Sequence, residues 1–169
     1  LRGVHVRPDG AVFAVGDGAL VSCKAGCETA AGYTSYRPAG AAFSGLCGDG
    51  SRVFAVGELD GEGVIYGFDD VLAQPWFLKL TDAERLFKSC WIAPDGAVFL
   101  TSRSTSTSAD GEVLRWKSAM TPETVEYTGV DPSLMFFNAV WGDDDEIFIG
   151  GSRKNIFGRN AATNAWSPV

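Results

Sequence analysis

The sequence predicts an all-β protein: a β-propeller segment of about four blades, each of four antiparallel strands, and part of a larger propeller. Three observations predict it. The stretch Pro8-Asp9-Gly10-Ala11-Val12-Phe13 returns unchanged as Pro94-Asp95-Gly96-Ala97-Val98-Phe99. Weaker copies stand at Gly48-Asp49-Gly50-Ser51-Arg52-Val53-Phe54 and Gly142-Asp143-Asp144-Asp145-Glu146-Ile147-Phe148. The markers Phe13, Phe54, Phe99 and Phe148 follow one another by 41, 45 and 49 residues, within the period of about 40–50 that propeller blades require.

The repeated unit is a tight turn followed by a strand. Proline presets φ, aspartate bonds to nearby backbone and glycine accepts positive φ, so Pro-Asp-Gly reverses the chain at low cost. The apolar runs that follow, Val12 to Gly16, Val53 to Gly57 and Ile147 to Gly151, are rich in β-branched and aromatic residues. Runs without polar alternation fit strands covered on both faces.

The elements follow in order within one domain, 1–169, as repeats 1–42, 43–86, 87–136 and 137–169. Repeat one carries strands at Gly3–Arg7, Val12–Gly16, Ala19–Cys23 and near Tyr33–Arg37, with Asp17-Gly18 as a hairpin turn. Repeat two carries Ser44–Cys47, Arg52–Gly57, Val64–Phe68 and Trp76–Leu80, with an acidic loop at 58–63. Thr81-Asp82-Ala83-Glu84 has capping-box spacing, which predicts one helical turn. Repeat three carries Lys88–Ile92, Ala97–Ser102, Glu112–Lys117 and Thr124–Thr128. Its polar run from Arg103 to Gly111 cannot bury a strand face and is expected to be exposed. Repeat four carries Asn138–Trp141, Glu146–Gly151 and Asn155–Arg159, and its last strand begins at Trp166, in the place of Trp76. Neither end offers a strand to latch a ring, hence the expectation of further blades.

Two stretches, Val4-His5-Val6-Arg7-Pro8-Asp9-Gly10-Ala11-Val12-Phe13-Ala14-Val15-Gly16 and Val140-Trp141-Gly142-Asp143-Asp144-Asp145-Glu146-Ile147-Phe148-Ile149-Gly150-Gly151, carry a resemblance. The chain resembles the W-G-x-x-x-x-D-V-W-A-V-G repeats of bacterial secreted β-propeller proteins. Many of these are lipoproteins, common in myxobacterial-type surface proteomes, and the pattern is shared with kelch-like and WD-like propellers. The resemblance implies the fold and an exported protein, secreted or at the cell surface, and no particular activity.

Composition narrows the function. With 46% apolar residues and 12% aromatics in 169 residues, the chain has the matter for a core. A net charge of −7 argues against a nucleic-acid partner, which needs a basic stripe. No apolar run reaches the roughly 20 residues of a membrane-spanning helix. The four cysteines lack the paired spacing of a zinc site. Cys23 and Cys27 are read as a disulfide closing a small loop, against the alternative of two thiols; a bridge implies an oxidising compartment. Cys47 and Cys90 lie in equivalent segments of adjacent repeats, where a second bridge is open to them but buried free thiols are expected.

Function is expected on a rim. Alternating strand direction sends the loops after second and fourth strands to one rim, and these are the unequal ones, the usual place for binding. Glu58, Asp60, Asp82, Arg85, Arg103, Asp110, Asp131 and Arg153 are the binding candidates there. Asp143 to Glu146 offers oxygens for calcium, but a solvated acidic turn is the expected reading. Trp91 and Trp141 could stack sugars or peptides, with packing between blades as the commoner use. The single histidine, His5, sits in a strand with no nucleophile nearby. The expectation is therefore a non-enzymatic surface or secreted binding and scaffold module without metal or cofactor. Its partners would be a protein, the remaining blades, or carbohydrate. A catalytic propeller acting on extracellular glycans or peptides and a lectin-like sugar binder are the alternatives.

Overall fold

A computed structural model describes residues 1–106, 111–116, 124–128, 136–143, 145–152, 156–160 and 163–169, with 124–128 as backbone only. The chain folds into four four-stranded antiparallel sheets, each a meander in sequence order. The first holds β1 (Gly3–Val6), β2 (Val12–Gly16), β3 (Ala19–Cys23) and β4 (Thr34–Tyr36). The second holds β5 (Ala41–Gly48), β6 (Val53–Leu59), β7 (Glu62–Phe68) and β8 (Trp76–Asp82). The third holds β9 (Arg85–Ile92), β10 (Val98–Ser104), β11 (Gly111–Trp116) and β12 (Thr124–Thr128). The fourth holds β13 (Phe137–Gly142), β14 (Glu146–Gly151), β15 (Ile156–Asn160) and β16 (Trp166–Pro168).

One device starts the second strand of every sheet. The Oδ1 of Asp9, Asp49, Asp95 and Asp143 accepts the N–H two residues on, from Ala11, Ser51, Ala97 and Asp145, at 3.0, 2.8, 2.9 and 2.9 Å. Each carboxylate closes an Asx turn and so fixes the register of the hairpin that follows. Gly10 and Gly96 take φ of 85° and 82° in the two identical copies, a conformation that side chains resist.

Register then sorts the apolar residues. In the second strands, Phe13, Phe54 and Phe99 point toward the following sheet, and Val53, Val98 and Ile147 toward the preceding one. Three cores result. Phe13, Val15 and Leu20 meet Phe43, Ala55 and Tyr66 between sheets one and two. Phe54, Val56 and Ile65 meet Phe87, Leu100 and Leu114 between sheets two and three. Ala97, Phe99 and Val113 meet Phe137, Ile149 and Phe157 between sheets three and four. Burying each valine, leucine, isoleucine or phenylalanine among them contributes about 1.5–3 kcal/mol, and the period-two pattern is what places it.

Several expectations need correcting. Cys47 and Cys90 are not free thiols: they form a disulfide with Cα atoms 5.6 Å apart. Cys47 lies on the side of sheet two that faces sheet three, Cys90 on the side of sheet three that faces back. Equivalent segments of neighbouring sheets thus bring the two sulfurs together across the interface. The Cys23–Cys27 bridge is present as expected. No helical turn follows Thr81; β8 runs to Asp82 and β9 begins at Arg85. The stretch 58–63 is not a loop either. Glu58 and Leu59 end β6, Glu62 begins β7, and only Asp60 and Gly61 turn, with φ of 51° and 87°, the left-handed pair of a type I′ hairpin. Likewise β10 continues into the polar run, taking in Arg103 and Ser104.

Candidate functional site

The first strands of the four sheets share a pattern that builds the site. Leu1-Arg2-Gly3-Val4-His5, Phe43-Ser44-Gly45-Leu46-Cys47, Phe87-Lys88-Ser89-Cys90-Trp91 and Phe137-Asn138-Ala139-Val140-Trp141 are equivalent by register. The second position is polar in each, and all four residues, Arg2, Ser44, Lys88 and Asn138, line one cleft of about 350 Å³. Asp17 and Glu58 border it from the rim of the hairpins between second and third strands.

Lys88 is the distinctive group. It is half-buried and makes no hydrogen bond or ion pair among the described residues. Burial pushes its ammonium below the usual lysine range, repulsion from Arg103 adds to that, and the attraction of Glu58 opposes it. Arg2 meets Asp17 only loosely, at 3.8 Å and in the open. Ser44 is committed to structure, its hydroxyl donating to the Phe87 carbonyl at 2.8 Å. Asn138 is exposed. The cleft therefore presents the Arg2 and Lys88 cations, the Asp17 and Glu58 carboxylates and the exposed Asn138 amide, a surface suited to a polar ligand.

The predicted rim residues divide. Glu58 lines the cleft, and Arg103 acts on it through its charge at Lys88. Asp60 sits in its turn outside the cleft lining, with its carboxylate against Gly40. Asp82 and Arg85 belong to a brace instead: Arg85 Nε donates to Glu112 at 2.8 Å and its Nη1 to Asp82 at 3.2 Å. Ser102 Oγ donates to the same Glu112 oxygen at 3.3 Å. Asp110, Asp131 and Arg153 lie outside the described residues. Lys88, Arg2 and Asn138 were missed, although their shared place in the repeated pentad marks them.

On the opposite rim the acidic turns are engaged with their own backbone. Asp143 Oδ1 accepts the N–H groups of both Asp145 and Glu146 at 2.9 Å, and these bonds hold its carboxyl below the usual carboxylate range. Among the described residues no three His, Cys, Asp or Glu side chains gather as a metal site. A smaller cleft of about 240 Å³ there holds Arg115 and Arg159 over the Phe99 ring, 5.8 and 5.6 Å from its centroid. Arg115 is tied to Asp95 at 2.6 Å. No helix among the described residues is long and apolar enough to cross a membrane. No protein-family model matches the chain, and no curated protein matches it in sequence.

Proposed function

We propose that the protein is a non-enzymatic binding and scaffold module, built as a β-propeller segment and working outside the cytoplasm. The observation that carries the reading is the polar ring of Arg2, Ser44, Lys88 and Asn138 in one cleft at the first strands. A core position of the repeat would be apolar; a polar one kept in all four sheets, with a half-buried ammonium that makes no hydrogen bond or ion pair among the described residues, supports a ligand-facing role. The two disulfides support an oxidising compartment, where such bonds persist.

The ligand is a polar chain, peptide or saccharide, that lays carbonyl, hydroxyl or carboxylate oxygens on Lys88 and Asn138. Peptide and glycan arrays probed with the wild type and with Lys88→Ala and Asn138→Ala test it. Binding should fall about tenfold or more in Lys88→Ala, the loss of one charge-assisted hydrogen bond, with the far-ultraviolet spectrum unchanged. Array binding that both variants retain in full would sink the cleft as the site. Turnover of an array ligand, lost on Glu58→Gln, would replace binding by catalysis.

A further inference from the structure

The molecule makes one kind of interface three times. The half that faces the following sheet is built from His5, Phe13 and Leu20 in sheet one, Cys47, Phe54 and Ile65 in sheet two, and Trp91, Phe99 and Val113 in sheet three. Trp141, Phe148 and Ile156 hold those positions in sheet four. Leu20, Ile65 and Val113 are fully buried, yet Trp141 and Ile156 are each 42% exposed. Trp141 instead lies stacked on Phe148, 5.8 Å away at 22°. The other half of the same interface is open on sheet one. Leu1, Val4 and Val6 are 87%, 59% and 58% exposed, where their counterparts Phe87, Cys90 and Ile92 are buried.

A size rule governs what fits. The next-to-last residue of each first strand, His5, Cys47 or Trp91, lies over the last residue of the next sheet's first strand. Where that residue is a ring, its counterpart is glycine. A Cβ on Gly48 would stand 2.5 Å from His5 Nε2, and one on Gly142 would stand 2.9 Å from the Trp91 ring. Where it is small, at Cys47, the counterpart is Ile92. Interiors packed to crystal density do not absorb a second bulky group at such a point. Trp141 is a ring, and the residue at the glycine position of sheet one is Val6.

We infer that the outer face of sheet four is a docking surface for a partner blade of the same repeat type, one with glycine at the position of Gly48 and Gly142. Val6 bars the first sheet of a second copy from that place. The surface is independent of the cleft, so either can fail without the other. The two open faces are different halves of one interface, so any contact between copies through them is head-to-tail.

Sedimentation velocity of the full chain tests the inference, from micromolar to hundreds of micromolar protein. The wild type should sediment as a monomer throughout. Val6→Gly, which gives sheet one the glycine that Trp141 requires, should associate at least tenfold more tightly, and adding Trp141→Lys should abolish the gain. Val6→Ala opens the same space in part and reads the same way, with a smaller gain, should Val6→Gly impair folding. Wild-type association that Trp141→Lys removes would overturn the exclusion by Val6. Folded Val6→Gly and Val6→Ala that both stay monomeric would overturn the glycine requirement.

Discussion

Asp49 accepts three kinds of hydrogen bond at once: from the backbone N–H groups of Ser51 and Arg52 and the Ser51 hydroxyl on Oδ1, and from the Arg52 guanidinium on Oδ2. Partial burial raises its pKa, but those bonds outweigh it and hold the carboxyl at about 2. Because the folded value lies below the unfolded one, its stabilisation is fully present above about pH 4 and is lost as pH falls toward 2. Discounted for its partial exposure, the group contributes on the order of 1–2 kcal/mol. Urea titrations from pH 5 to pH 2 should show the wild type losing that much more than Asp49→Asn; equal slopes would show that the carboxylate is not held this way. The turn aspartates were legible because their chemistry is local. Lys88 was not, since its role arises only when four first strands converge, although aligning the pentads at Leu1, Phe43, Phe87 and Phe137 exposes its polar column.

At the scale of elements, strands were legible where a single signal acted. Val12–Gly16, Ala19–Cys23 and Glu146–Gly151 match their expected limits. The misreadings came where two signals competed. Thr81 to Glu84 has the spacing of a helix start, but the residues after it, Arg85 to Ile92, pair along β10 with one bulge, and tertiary pairing wins. The acidic composition of 58–63 hid an Asp-Gly turn. The disulfides differ in what they close. Cys23–Cys27 spans 4 residues and Cys47–Cys90 spans 43, so loop-closure entropy assigns about 2 kcal/mol to the first and about 4 to the second. Alanine pairs at each bridge, compared by urea unfolding, should show the larger loss for Cys47→Ala/Cys90→Ala. A larger loss for the short loop would mean that the bridges act through the native state instead of the unfolded chain.

Across the whole molecule, stability follows from how many faces of a sheet are covered. Among the described residues, sheets two and three are packed on both faces and sheets one and four on one, and a linear stack of repeats is stabilised by its nearest-neighbour interfaces. Amides of β6, β7, β10 and β11 should therefore exchange last, and those of β1 and β16 first, because end sheets open without disrupting the centre. Paired substitutions read the same gradient. Leu114, 1% exposed between sheets two and three, should cost about 2–5 kcal/mol as Leu114→Ala. Val21 lies in register with Ala14, on the outer face of sheet one, and Val21→Ala should cost about 0.5 kcal/mol or less, as at ordinary surface positions. Were Val21→Ala to approach the cost of Leu114→Ala, the outer face of sheet one would be covered in solution. Adding Trp141→Lys to Val21→Ala would then tell whether sheet four of a second copy is the cover, since that contact alone loses its energy when Trp141 is charged.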